Sequence, residues 1–258
     1  MAANKRILIV TLQLGLLVVV LLGWEVASRA GWIDHMIFSR PTEIGGCVVH
    51  LLATPGTYMH LGVTATETVS AFLSGSLLAV LAGFACARKP LLAAVLDPYI
   101  KIGNAMPRVV LAPLFIIWFG TGILSKTIFG MTLVFFVVFF NTFRGVQEVD
   151  VNVINNARML GATPRQVFRH VVLPSVMTWI LAGLHTSVGM ALVGAVVGEY
   201  IASSRGLGYL IHLADGNLDQ ANVFAGLVIL SVFALGVDYL VTLLERRLLR
   251  WRPQINSK

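Results

Sequence analysis

Asn155-Asn156-Ala157-Arg158-Met159-Leu160-Gly161-Ala162-Thr163-Pro164-Arg165-Gln166-Val167-Phe168-Arg169-His170-Val171-Val172-Leu173-Pro174 is the only long polar interruption in the hydrophobic second half of the chain. Val151, Ile154, Ala157 and Leu160 recur at three-residue spacing, which predicts a short helix, and Gly161 is suited to ending it. Thr163 is a good N-cap, Pro164 fits the first helical position and Gln166 stands three residues after the cap, so a capping box opens a second helix. Val167, Phe168, Val171 and Val172 form one face of that helix, Arg165, Arg169 and His170 the other, and Leu173-Pro174 is expected to close it. The stretch therefore reads as a basic helical elbow.

Outward from the elbow the sequence turns apolar. Of its 258 residues 57% are hydrophobic and 12% charged, with a mean hydropathy of +0.84. These values exclude an ordinary soluble domain and predict an all-α, polytopic transmembrane bundle. A net charge of +7 would suggest nucleic acid or anionic substrates in a soluble protein. In a membrane protein basic residues mark cytoplasmic loops and lipid headgroups, so membrane lipid and no nucleic acid is the expected partner. Cys47 and Cys86 are expected on opposite sides of the bilayer, without a disulfide, and no CxxC or Cys/His metal spacing occurs.

The apolar periodicity places six spans. The first runs from Ile7 to Trp24, close to the roughly 20 residues a bilayer needs. A cleavable signal peptide is the competing reading of this run, given Ala27-Ser28-Arg29-Ala30. Its length and the spans that follow favour an uncleaved anchor. Residues 25–60 form the longest external segment. Span two covers about 64–87, with Gly75, Ala79 and Gly83 at four-residue spacing to admit a neighbouring helix. Asp97-Pro98, Lys101, Asn104, Pro107-Arg108 and Pro113 interrupt the next stretch, which reads as an interfacial helix leading into a broken third span over 104–119, a pathway candidate. Spans four, five and six are expected at about 127–143, 176–197 and 223–244, with Gly183, Gly189, Gly194 and Gly198 along span five. Glu245-Arg246-Arg247, Arg250, Trp251 and Arg252 then form a basic tail with an interfacial tryptophan. Most of the 19 lysines and arginines, including Arg88, Lys89, Arg144, Arg158, Arg165 and Arg169, then fall on one side, against Arg29, Arg40, Lys126 and Arg205 on the other. That asymmetry puts both termini and the elbow in the cytoplasm.

Charges within spans are the candidate pathway residues. Glu67 and Glu199 lie near the outer ends of their spans. They read either as interfacial or packing carboxylates, or as the lining of an outer vestibule that would disfavour a sulfonate and suit a neutral or cationic heterocycle. Arg108 beside Pro107 points instead to an anion, or to an arginine snorkelling or pairing with a carboxylate. His185 reads as a buried, hydrogen-bonded histidine before a ligand, Asp238 as a partner of the basic tail, Phe135-Phe136 and Phe139-Phe140 as lipid-facing or packing surface, and Ser203-Ser204-Arg205-Gly206 as a turn.

Ala157, Gly161 four residues on, and Leu173-Pro174 twelve residues after that resemble the EAA loop of the membrane subunits of bacterial ABC importers. Residues 107–120, Ser125-Lys126 and Gly206-Leu207-Gly208-Tyr209 are similar to the branch that carries nitrate, sulfonate, taurine, bicarbonate and thiamine- or riboflavin-related compounds. The chain departs from the name-giving motif at Asn155, where the family usually has glutamate, and at Asn156, where it has alanine. The resemblance implies a type I importer permease with a MetI-like core: one domain over 1–258, a peripheral first span over 1–27, a core over 61–244 and a coupling loop over 144–174.

It further implies that Asn155, Asn156, Ala157, Gly161, Ala162, Thr163, Pro164, Arg165, Arg169, Leu173 and Pro174 meet an ATPase subunit. The implied assembly has two ATPase copies, a second permease copy forming a homodimer, and a periplasmic or lipid-anchored solute-binding protein, in the bacterial inner membrane. No GxxxxGK[ST] is present, so ATP and Mg are expected on the partner, with no cofactor on this chain and no catalysis by it. An ion-coupled carrier or channel is the alternative; an intramembrane enzyme is disfavoured, because neither HExxH nor a nucleophile elbow occurs.

Overall fold

The computed structural model describes residues 2–248, and helices dominate them. Helix α1 (Ala2–Arg29) leads to α2 (His35–Phe38) and α3 (Pro41–Ala53), followed by the long α4 (Pro55–Arg88). Next come α5 (Pro90–Ala105), a 3₁₀ turn (Arg108–Leu111) and α6 (Ala112–Phe119), then α7 (Ile123–Gln147) and α8 (Val151–Met159). The second half of the elbow comprises α9 (Pro164–Val167) and a π turn (Phe168–Val172), which run into α10 (Leu173–Ile201); α11 (Leu207–Gly216) and α12 (Gln220–Leu248) end the described chain. The basic tail residues Arg250, Trp251 and Arg252 lie outside the described residues.

Small residues decide the packing. Gly75 on α4 meets Met131 and Val134 of α7, and Gly83 meets Thr142, so an added Cβ at Gly75 would sit 2.9 Å from that of Val134. Ala79 between them is fully buried. On the other side of α7, Gly130 receives Gly194 of α10, and Gly145 receives Trp179. Such backbone approach replaces the hydrophobic driving force that lipid cannot provide. Phe135, Phe139 and Phe143 stack along α7 with centroids 5.6 and 5.9 Å apart, which makes this aromatic run largely packing surface.

The same contacts fix the topology. Gly75 to Val134 and Gly83 to Thr142 advance in one direction, so α4 and α7 run parallel, whereas α7 and α10 are antiparallel. A parallel pair requires one further crossing between Arg88 and Ile123. Among the described residues five helices are long and apolar enough to span, and the α5 and 3₁₀-α6 pair, bent by 83°, is the segment available for the sixth crossing. The break differs from expectation: the helix continues through Asn104 to Ala105, and Pro98 is accommodated inside α5. Pro107 causes the break, because it lacks an N–H and holds Met106 in extended geometry at φ −68°, ψ 131°. Pro113 sits at the start of α6, where its missing N–H leaves nothing unsatisfied.

Helix α1 exposes nearly all of its apolar surface. It is tied to the bundle at its outer end. Trp24 packs edge-on against Phe224 at 5.7 Å, and Glu25 accepts from the Thr42 amide at 3.1 Å and from Arg29 at 2.7 Å.

Candidate functional site: the elbow and the buried outer charges

The elbow forms as its residues dictate, with one exception. Asp150 caps α8 by accepting from the Asn152 amide at 2.8 Å, and Gly161 takes φ +84°, the left-handed region that ends a helix cheaply only at glycine. Thr163 Oγ1 accepts from the Gln166 amide at 3.4 Å while Gln166 Oε1 accepts from the Thr163 amide at 2.8 Å, a complete capping box with Pro164 at the first turn. The exception is Leu173-Pro174, which does not close the second helix. Residues 164–201 form one continuous helix, and the chain widens into the π turn just before Pro174. Proline has no N–H to give, and its ring needs room beside the carbonyl four residues earlier, at His170. A wider turn provides that room without a break.

Asn155, Asn156, Arg165 and Arg169 are exposed on this elbow, and Ala157, Gly161 and Ala162 border a groove of about 320 Å³ between its two limbs. At the tip, Met159 is 85% and Leu160 89% exposed. Leu160 ends the apolar series of the first limb, yet both it and Met159 are turned outward rather than into the bundle. Phe168 anchors the elbow to the inner end of α4, packing edge-on against Phe84 at 5.8 Å beneath the Arg88 guanidinium at 4.3 Å.

At the opposite end of α10 the structure brings Glu67, Lys126 and Glu199 together, each no more than 1% exposed. Glu67 and Glu199 therefore neither reach headgroups nor line an open vestibule in this conformation. Glu199 Oε1 accepts from Thr64 Oγ1 at 2.6 Å, and its Oε2 accepts from the Gly208 amide at 2.7 Å. Thr64 Oγ1 in turn accepts from the Leu207 amide at 2.9 Å, and the Gly206 amide donates to His60 Nδ1 at 3.0 Å. Lys126, expected in an outer loop, is inside α7: its ammonium donates to the Thr121 carbonyl and, at 3.3 Å, to Ser203 Oγ. Gly206 at φ +114° lies so close to Glu199 that no side chain fits there. The stretch Ser203–Gly206 is the expected turn; α11 behind it, whose N-terminus faces Glu199, was not anticipated. The glycines at 206 and 208 were its signal.

The remaining candidates lie apart. Arg108 stacks over Phe136 at 4.4 Å and donates to the Thr132 carbonyl at 3.2 Å and Asn104 Oδ1 at 3.3 Å, with no carboxylate partner among the described residues. Pro107 shapes the break beneath it. His185 is half-exposed rather than buried, 3.4 Å from Asp238 and 3.4 Å from Glu245. Asp238 meets a histidine on α10; the basic tail it was expected to pair with lies largely outside the described residues.

Five long apolar helices and one bent pair, with the elbow before the penultimate long helix, define a polytopic membrane protein. The model for the family described as "Binding-protein-dependent transport system inner membrane component" matches residues 75–250. The putative aliphatic sulfonates transport permease protein SsuC of Bacillus subtilis (strain 168) is 33% identical over 229 residues, covering 89% of this chain and 83% of that protein. The riboflavin transport system permease protein RibX of Chloroflexus aurantiacus (strain ATCC 29366 / DSM 635 / J-10-fl) is 30% identical over 235 residues, covering 91% and 88%. A solved amino acid ABC transporter chain superposes with a TM-score of 0.62 at 20% identity over 77% of this chain and 97% of that one, a likeness of fold. The chain belongs to the binding-protein-dependent transport inner membrane components and is a membrane-spanning permease subunit of an ABC importer. Its relatives are transport permeases, and membership of that family sets aside the ion-coupled carrier.

Proposed function

We propose that two copies of this chain form a twofold-symmetric pathway in the bacterial cytoplasmic membrane, with an ATPase subunit seated on each elbow and a solute-binding protein delivering cargo from outside. ATP and Mg belong to the ATPase. Residues 61–244 act as the moving core, 144–174 as the coupling loop, and 1–27 as a peripheral span. The carrying observation is the continuity of residues 164–201. A helix of that length is about 57 Å long at roughly 1.5 Å per residue. A push on the capped elbow is therefore delivered to the outer end of α10 as a rigid-body movement, with the π turn as its one soft point. Exposed Met159 and Leu160 supply an apolar anchor for the ATPase beside a basic rim of Arg165 and Arg169, and Asn155 and Asn156 contribute neutral contacts where an acidic one is usual.

Charge does not select the solute. Glu67 and Glu199 are sealed in with Lys126, and Arg108 is occupied by Phe136 and a carbonyl. With both carboxylates buried, neither faces an outer vestibule where it would repel a sulfonate. Aliphatic sulfonates are the first cargo to test and riboflavin-type heterocycles the second, following the two relatives. The experiment reconstitutes the permease with its ATPase and binding protein in proteoliposomes and measures uptake of each. ATP-dependent uptake of a small organic solute supports the reading, and uptake indifferent to ATP contradicts it.

A further inference from the structure

We infer that Glu67 holds a proton and Glu199 is the ionised partner, so that this pair and Lys126 form an electrically neutral latch joining the outer ends of α4, α7 and α10 to the 202–208 loop. The two carboxyl groups lie against each other in the interior. Two ionised carboxylates in such contact repel, whereas one acid and one carboxylate share a hydrogen bond. The donors decide which is which. Both Glu199 oxygens accept from fixed donors, the Thr64 hydroxyl and the Gly208 amide, and the N-terminus of α11 points at it. Amides at a helix start favour a negative charge. Glu67 Oε2, by contrast, is buried with no donor facing it. A carboxylate there would leave an acceptor unsatisfied, while an acid supplies the missing donor to Glu199.

The other ionisable groups around the pair fit the same count. Lys126 on α7 contributes the one positive charge, and His60 on α4 is engaged by the Gly206 amide as an acceptor and so is neutral. Arg205 is exposed in the loop above. Loss of the Glu67 proton sets two carboxylates in contact with a single ammonium to balance them, and the loop is released.

The inference takes the chain as a membrane-spanning permease, but its test needs no transport. Glu67→Gln keeps a neutral donor at that position, whereas Glu199→Gln removes an acceptor and sets an amide donor against Thr64 and Gly208. Thermal unfolding and infrared difference spectra are measured on the purified full chain in nanodiscs. Expected results are a melting temperature for Glu67→Gln equal to that of the parent, a clear drop for Glu199→Gln, and loss of the protonated-carboxyl C=O band in Glu67→Gln. Equal destabilisation or misfolding of Glu67→Gln, or persistence of that band in it, overturns the inference. Failure of ATP-driven uptake in the parent would instead contradict the importer reading and leave these spectra unchanged.

Discussion

Lys126 is the largest fully buried side chain among the described residues. Its stem fills the space above Gly198, where an added Cβ would stand 2.6 Å from Lys126 Cγ, and its head reaches Thr121 and Ser203. Removing one member of a buried charge set strands the rest, at a typical cost of about 3–5 kcal/mol. Lys126→Met is therefore expected to lower the melting temperature of the purified protein sharply, although it is apolar and fits the same channel. From sequence the residue read as a loop cation, because it follows Gly120-Thr121-Gly122. The available signal was that Glu67, Lys126 and Glu199 all fall near the outer ends of three spans, but pairing between spans is set by helix rotation, which one sequence leaves open. Glu43 behaves differently, on α3 outside the membrane. The hydrogen bond from His35 at 2.7 Å holds its carboxyl below the ordinary 4.5, with further help from Ser39. Stability from this contact is complete above the ordinary value and disappears as pH falls through the lower folded value. As pH falls below 4.5 the parent should progressively lose its stability advantage over Glu43→Gln, measured by paired melts across pH.

Among elements, the elbow was the most legible. Its caps are local chemistry, and Thr163, Pro164, Gln166 and Gly161 act within a few residues of one another. Thr163→Ala should cost about 1 kcal/mol by leaving the Gln166 amide without its acceptor, read as increased amide exchange at the start of the helix. The misreading of Leu173-Pro174 has a physical cause as well. A proline's effect depends on whether the preceding turn can widen, and in this chain it does. The third span was legible as broken but not in its details, since Pro98 and Pro107 look alike in sequence and only Pro107 interrupts the helix. Helix α11 was missed because ten residues flanked by turns carry too weak a period against the apolar background.

At the scale of the molecule, the parallel run of α4 and α7 makes the bent pair a crossing and places Leu160 and Leu218 on opposite sides. With Cys47 and Cys86 changed to serine, a single cysteine at Leu218 should react with an impermeant maleimide on intact spheroplasts, and one at Leu160 only after permeabilisation. Labelling of both from outside would break the six-span topology. Basic-residue asymmetry and the motif spacing carried this architecture from sequence alone, since both are one-dimensional signals; which charges meet inside the bundle required three dimensions.

In the proposed mechanism force enters at the elbow and travels along α10. Met159→Glu with Leu160→Glu alters only exposed side chains at the tip, so the permease should fold and melt as the parent does. Co-purification with the ATPase and ATP-driven uptake in proteoliposomes are measured side by side for the parent and this double variant. Loss of both in the variant is the predicted result; uptake and ATPase association equal to the parent's would contradict it.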